Sequence, residues 1–172
     1  MRGDMEDSSA MRAAVFTHSD QPVEVLELDL VATGPGQVKV RLAASGVCHT
    51  DLSIARGRLA HPAPAVLGHE GAGVVEEVGE GVTTVAPGDH VVLSWIAQCG
   101  HCYPCLRGQG HVCETFPRGQ VPSPFRHRGD VVHQMMTTGT FAEVTVVPEG
   151  GVVRIDRDVP LHLAALIGCG VL

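Results

Sequence analysis

At 172 residues, 44% hydrophobic but only 3% aromatic, the chain can bury one real core, and that core has to be built from Val, Leu, Ala and Ile. A net charge of −7 argues against nucleic acid as a partner, because a phosphate-binding surface needs an excess of Lys and Arg. No apolar run approaches the roughly 18 residues that would span a bilayer, and residues 1–10 contain no apolar segment of a secretory signal.

In chain order, residues 1–10 are polar and read as a disordered tail, with a single folded domain expected over 11–172. Residues 12–16 and 23–28 read as strands, the second alternating in polarity. Gly34-Pro35-Gly36 is a turn, and a strand over 37–44, with Val38, Val40 and Leu42 on one face, delivers the chain to Cys48. A short helix is predicted over 49–56, with Thr50 or Asp51 near its start. After the His61-Pro62-Ala63-Pro64 loop, residues 66–70 run into turn, strand and turn over 73–79. Glycines at 68, 71 and 73 let the backbone approach another group closely or take a positive φ, whether for a metal-bearing side chain or for a barrel corner. Residues 91–95 form another strand, and 114–133, rich in Pro, Arg, Gly and His, read as a surface loop. Strands return at 141–147 and 152–155. A short apolar helix over 160–167, with Asp158 as a cap and Pro160 in its first turn, presents Cys169. The 21 glycines and 11 prolines imply many tight connections and favour this β-rich architecture over a helix bundle.

The six cysteines divide into two sets. Cys99, Cys102, Cys105 and Cys113 form the run C-x2-C-x2-C-x7-C, spaced to wrap one loop, over residues 95–115, around a closed structural zinc. In a chain without an export signal such a run reads as a metal site rather than as disulfides, and it places the protein in the cytoplasm. Cys48, His69 and Cys169 can supply three ligands of a tetrahedral zinc whose fourth position stays open, as catalysis requires. Their wide spacing alone does not separate that reading from ordinary buried core residues.

Further motifs separate the two. Gly46-Val47-Cys48-His49-Thr50-Asp51, Gly68-His69-Glu70-Gly71-Ala72-Gly73-Val74 continuing through Gly79, the four-cysteine lobe, Pro87-Gly88-Asp89-His90-Val91 and Gly168-Cys169-Gly170-Val171 follow one another in a fixed order. From Met11 onward the chain resembles the zinc-containing alcohol dehydrogenases of the medium-chain dehydrogenase/reductase superfamily. The resemblance implies a mainly β fold with short helices, a GroES-like partly open barrel carrying a zinc lobe. It also implies two zincs, NAD as cofactor, a small alcohol or aldehyde as substrate and a homo-oligomeric full-length protein.

Within that resemblance, zinc on Cys48, His69 and Cys169 takes an alcohol oxygen, favours the alkoxide and so promotes hydride transfer to NAD. Thr50 corresponds to the hydroxyl residue that relays the alcohol proton, or else caps the helix. Ser53 stands where many members carry a histidine that completes the relay. Asp51 corresponds to the carboxylate that orients the histidine ligand, and Glu70 to a carboxylate beside the metal that assists ligand exchange. His49 corresponds to a residue contacting the cofactor pyrophosphate. Leu59, Trp95, Met135 and Met136 fall where the family lines its substrate pocket, although Met and Trp are equally common in cores.

No G-x-G-x-x-G turn between a strand and a helix is found, so the NAD-binding Rossmann domain is expected to be absent and the chain alone inactive. Three other readings compete: a thiol-adduct formaldehyde dehydrogenase, a non-enzymatic zinc module that binds a protein, and a zinc-ribbon nucleic-acid binder. The last is opposed by the acidic balance.

Overall fold

A computed structural model describes residues 10–115 and 121–171. The strands are β1 (Met11–Phe16), β2 (Glu24–Leu30), β3 (Gln37–Gly46), β4 (Ala65–Val66), β5 (Glu70–Val78), β6 (His90–Leu93), β7 (Phe125–His127), β8 (Asp130–Gln134), β9 (Val144–Pro148) and β10 (Val152–Ile155). Helices α1 (His49–Ala55), α2 (Tyr103–Leu106) and α3 (Leu161–Ala164) are short. Strands β1, β2, β7, β8 and β4 close into a small barrel, and β10, β6, β5, β3 and β9, in that spatial order, form an open five-stranded sheet. Together they make the mainly β, partly open architecture that the sequence implies. The expected tail lies outside the described residues apart from Ala10. Among the described residues no helix is long and apolar enough to cross a membrane.

Period-two burial builds both halves. Val38 and Val40 point to one side of β3 and join Val75, Val91, Leu93, Val147 and Val152 in the core of the open sheet. In the barrel, Met11, Ala13 and Val15 meet Leu28, Val66, Phe125 and Val132. A third cluster of Phe16, Ile54, Ala65, Leu67 and Met135 packs α1 against the barrel, and Ala164 and Ala165 pack α3 onto Ala72 and Val92. On β2 the leucines Leu26, Leu28 and Leu30 face inward, whereas Val25 faces solvent.

Three expectations need correction. The region 114–133 is not a single surface loop: residues 125–134 form the hairpin β7–β8, whose Phe125 and Val132 are core residues, and residues 116–120 lie outside the described residues. Its two-residue turn uses Arg128 (φ 52°) and Gly129 (φ 91°), a left-handed pair matched to strand twist but with no Asn or Asp to announce it. Residues 70–78 form one continuous strand rather than a turn followed by a strand. Gly73 lies inside it, where β3 and β5 slip register, and a Cβ there would run into the Arg41 carbonyl. Asp158 does not cap the last helix; Pro160 occupies the cap position without a side-chain bond, and the helix ends as a 3-10 turn, Ala165–Gly168.

Glu149 ties the loop after β5 to the end of β9. Its Oε1 accepts hydrogen bonds from Thr83 N–H (2.8 Å), Thr84 N–H (2.9 Å) and the Thr84 hydroxyl (2.9 Å). These bonds, the Thr83 amide foremost, hold its carboxyl below the ordinary glutamate value. A depressed folded pKa contributes stability above the unfolded value of about 4.3 and loses it as pH falls through the folded value. Glu149→Gln is therefore expected to lower stability at pH 7 by about 1 kcal/mol, a figure discounted for solvent exposure, with the difference vanishing near pH 3. Urea unfolding at the two pH values measures it.

Candidate metal centre

Cys48 ends the chain's exit from β3 and caps α1 from an extended conformation (φ −95°, ψ 158°). It forms a capping box in which its sulfur takes the place usual for a Ser or Thr hydroxyl. Asp51, the third residue of the helix, completes the box: its Oδ2 accepts the Cys48 N–H at 2.9 Å. Its Oδ1 accepts the Gly68 N–H at 3.0 Å, so one carboxylate, 3% exposed, binds the two segments that carry Cys48 and His69. Asp51 Oδ1 also lies 3.6 Å from His69 Nδ1, an electrostatic contact rather than a formed hydrogen bond.

Burial pushes the Asp51 carboxyl upward, but His69 and the Cys48 and Gly68 amides outweigh it and hold the group below its ordinary value. Asp51 in turn raises the His69 imidazole against the lowering effect of burial. With Nδ1 on the Asp51 side, Nε2 is the nitrogen left for a metal.

One ligand atom each from Cys48, His69, Glu70 and Cys169 lies within 4.8 Å of the others. His69 and Glu70 are buried at the start of β5, and Cys169 follows the 3-10 turn after α3. The glycines around them make room. A Cβ on Gly46 would strike the Glu70 carboxylate, and Gly170 also lies against it. The Thr50 amide, ahead of its hydroxyl and His69, lowers the Cys48 thiol. Burial, then Cys48 and Glu70, pushes the Cys169 thiol up to about 11. Two sulfurs and a carboxylate crowded in this way repel one another as anions; a divalent cation between them removes that repulsion. The donor set of thiols and imidazole, with a carboxylate alongside, fits zinc.

Cys99, Cys102, Cys105 and Cys113 form the second such group among the described residues, again within 4.8 Å. The Cys99 and Cys105 sulfurs are 4.0 Å apart, and those of Cys102 and Cys113 are 3.9 Å apart. A tetrahedron with Zn–S bonds of about 2.3 Å has edges of about 3.8 Å, so the four thiols fit one zinc. Backbone N–H groups of Cys99 and Cys102 point at the sulfurs of Cys113 and Cys99. Burial opposes ionisation of Cys99, yet Thr115 and the His101 and Cys102 amides bring its thiol down to about 5. Partial desolvation, reinforced by the other three thiols, pushes Cys105 up to about 12.

The remaining candidates are placed unevenly. The Thr50 hydroxyl lies 3.7 Å from the Cys48 sulfur, beside the first group. His49 and Ser53 face outward one helical turn apart, with His49 Nδ1 3.3 Å from the Ser53 hydroxyl. Leu59 and Trp95 are exposed on the surface, at 47% and 38%. Met135 has no exposed surface and packs among Phe16, Ile54, Ala65 and Leu67; Met136 is partly buried against the same cluster. Separately, Leu93, Ile167 and Gly168 help line an apolar depression of about 220 Å³.

Sequence reasoning passes over Thr138 and Thr140, both 1% exposed, which bond to the Gly68 peptide in front of His69. Only the Thr137-Thr138-Gly139-Thr140 run, polar between apolar neighbours, hints at a buried polar role.

The family pattern described as the alcohol dehydrogenase GroES-like domain matches residues 34–157. The chain is 43% identical over 166 residues to the NDMA-dependent alcohol dehydrogenase of Amycolatopsis methanolica, covering 93% of this chain and 45% of that protein. The crystal structure of an alcohol dehydrogenase zinc-binding domain protein from Burkholderia ambifaria superposes with a TM-score of 0.86 at 36% identity, covering 95% of this chain and 46% of that one. Benzyl alcohol dehydrogenase from Acinetobacter calcoaceticus gives 0.83 at 34% identity, covering 94% and 45%. The chain thus spans about 45% of the length of the curated relatives it matches. With two thiol-rich ligand groups carried on a fold that the family pattern covers from 34 to 157, the chain belongs to the alcohol dehydrogenase GroES-like domain family.

Proposed function

We propose that this chain is the metal- and substrate-binding part of a cytoplasmic, zinc-dependent, NAD-linked alcohol dehydrogenase that oxidises an alcohol to an aldehyde or ketone. The observation that carries this reading is the convergence of Cys48, His69, Glu70 and Cys169, far apart in sequence, within 4.8 Å. Cys48, His69 and Cys169 would hold the catalytic zinc, and Cys99, Cys102, Cys105 and Cys113 the structural one. Bound there, zinc lowers the pKa of an alcohol hydroxyl toward neutrality and makes hydride loss from its carbon easier.

The protein's own residues supply the rest. Thr50 stands beside the Cys48 sulfur to accept the alcohol proton. Asp51 would fix the His69 ring, Glu70 would assist exchange at the metal, and His49, exposed on α1, is the candidate to contact the cofactor pyrophosphate. Leu59, Trp95 and Met136 are the candidates for substrate contact. Hydride transfer needs NAD held against the substrate carbon, and these 172 residues contain no Rossmann turn, so the chain alone is expected not to turn over.

Zinc analysis per polypeptide tests the metal assignment. The wild-type chain is expected to carry two zincs and His69→Ala one, with the four-cysteine zinc retained. A wild-type chain carrying one zinc that His69→Ala leaves in place overturns the catalytic-site reading.

A further inference from the structure

Residues 135–139 form a strained turn on the far side of the Gly68–His69 peptide. Two successive non-glycine residues, Met136 (φ 49°) and Thr137 (φ 64°), are left-handed, followed by Gly139 (φ 53°). A β-branched threonine at such a φ is a genuine outlier, and strain of this kind persists only where the surroundings hold it in place. Here they do. The Thr138 and Gly139 amides both donate to the Met135 carbonyl (2.9 and 3.1 Å), and the Thr138 carbonyl accepts from the Thr145 hydroxyl and from Gln134 Nε2.

The outcome of that strain is where Thr138 points. Its hydroxyl hydrogen is shared between the Met135 carbonyl at 3.0 Å and the Gly68 carbonyl at 3.2 Å. The Thr140 amide donates to the same Gly68 carbonyl at 3.0 Å, and the Thr140 hydroxyl bonds the Ser45 hydroxyl at 2.6 Å, three residues before Cys48. Gly68, at φ 88°, has no room for a Cβ, which would collide with Thr140 and the Phe141 ring. Gly68, the residue before His69, is therefore gripped on both sides, its N–H by Asp51 and its carbonyl by the two threonines.

We infer that Thr138 and Thr140, held by the strained turn 135–139, are positioning residues that set the orientation of His69 for the metal through the Gly68 carbonyl. This rests on the reading of Cys48, His69 and Cys169 as a metal site. The chain of bonds leaves the imidazole untouched, so its effect is on the peptide plane from which the ring is projected. A hydroxyl at 138 is sufficient for it, whatever the attached methyl group.

The test compares wild type, Thr138→Val and Thr138→Ser, each loaded with Zn2+ and, separately, Co2+, by chelator competition and by the visible absorption of the cobalt forms. Thr138→Val keeps the shape and loses the donor; it is expected to weaken metal binding at the His69 site by about tenfold and to alter its cobalt bands, with the four-cysteine site unchanged. Thr138→Ser is expected to restore both. Affinity in Thr138→Val within about twofold of wild type, with the same cobalt spectrum, overturns the inference. So does loss of both metals together, or failure of Thr138→Val to fold around its structural zinc, since either assigns the hydroxyl to the fold. If wild type itself binds one metal, at the four cysteines alone, the metal-site reading fails instead.

Discussion

Asp51→Ala is expected to destabilise the chain by about 3 kcal/mol and to weaken metal binding at the His69 site by roughly 10- to 100-fold. The stability cost comes from two donors. Without the carboxylate, the Gly68 N–H, buried, and the Cys48 N–H, partly buried, lose their acceptor, and each orphaned group costs about 1–3 kcal/mol. The binding cost comes from geometry, because one Asp51 carboxylate hydrogen-bonds both the Cys48 amide and the Gly68 amide in front of His69. Urea unfolding of the zinc-free protein isolates the first effect and chelator competition the second. Asp51→Asn separates charge from shape. Its amide can accept from one of the two N–H groups but faces the other donor-to-donor, so it should recover only part of the stability. An unchanged unfolding midpoint in Asp51→Ala would mean that water substitutes for the carboxylate.

The sequence announces these residues to very different degrees. The four lobe cysteines are legible because their spacing is short and fixed, so chain connectivity alone brings the sulfurs together. The helix after Cys48 and the strand before it are legible from period and appear where expected, although the cap is Cys48 and Thr50 lies inside the helix. Cys48, His69 and Cys169 are legible as a set only through the order of the surrounding motifs, since nothing local ties residues so far apart. The hairpin 125–134 is hidden because its strands are three and five residues long and present Arg and His to solvent between single buried apolar positions, Phe125 and Val132. At Met135 residue type alone leaves the choice open, since methionine suits a pocket or a core equally; the structure packs Phe16, Ile54, Ala65 and Leu67 around it. The Thr138 contact, 70 residues away from Gly68, depends on a backbone conformation that threonine does not prefer, so no propensity argument leads to it.

The second large effect concerns the lobe. Cys105→Ser is expected to abolish the closed zinc and unfold residues 99–113 while leaving the barrel and the open sheet folded. The segment has almost no core of its own: one four-residue helix with Pro104 buried, one 3-10 turn, and Tyr103, Leu106 and Val112 exposed. So little apolar burial cannot offset the ordering entropy of about 1–2 kcal/mol per residue, whereas a structural zinc contributes about 10–16 kcal/mol of apparent binding energy. None of the main core clusters contains a residue from this segment, so the body does not depend on it. Limited trypsin digestion reports the difference at Arg107, which in the folded lobe stacks over the Tyr103 ring at 5.5 Å. Cleavage there should accelerate by about tenfold or more in Cys105→Ser, and equally in wild type stripped by a chelator, while far-UV circular dichroism of the β-structure changes little. Cleavage at the wild-type rate would mean that the lobe holds its shape through its contacts with the body, such as the Gln98 amide to the Gly150 carbonyl at 3.2 Å, rather than through metal.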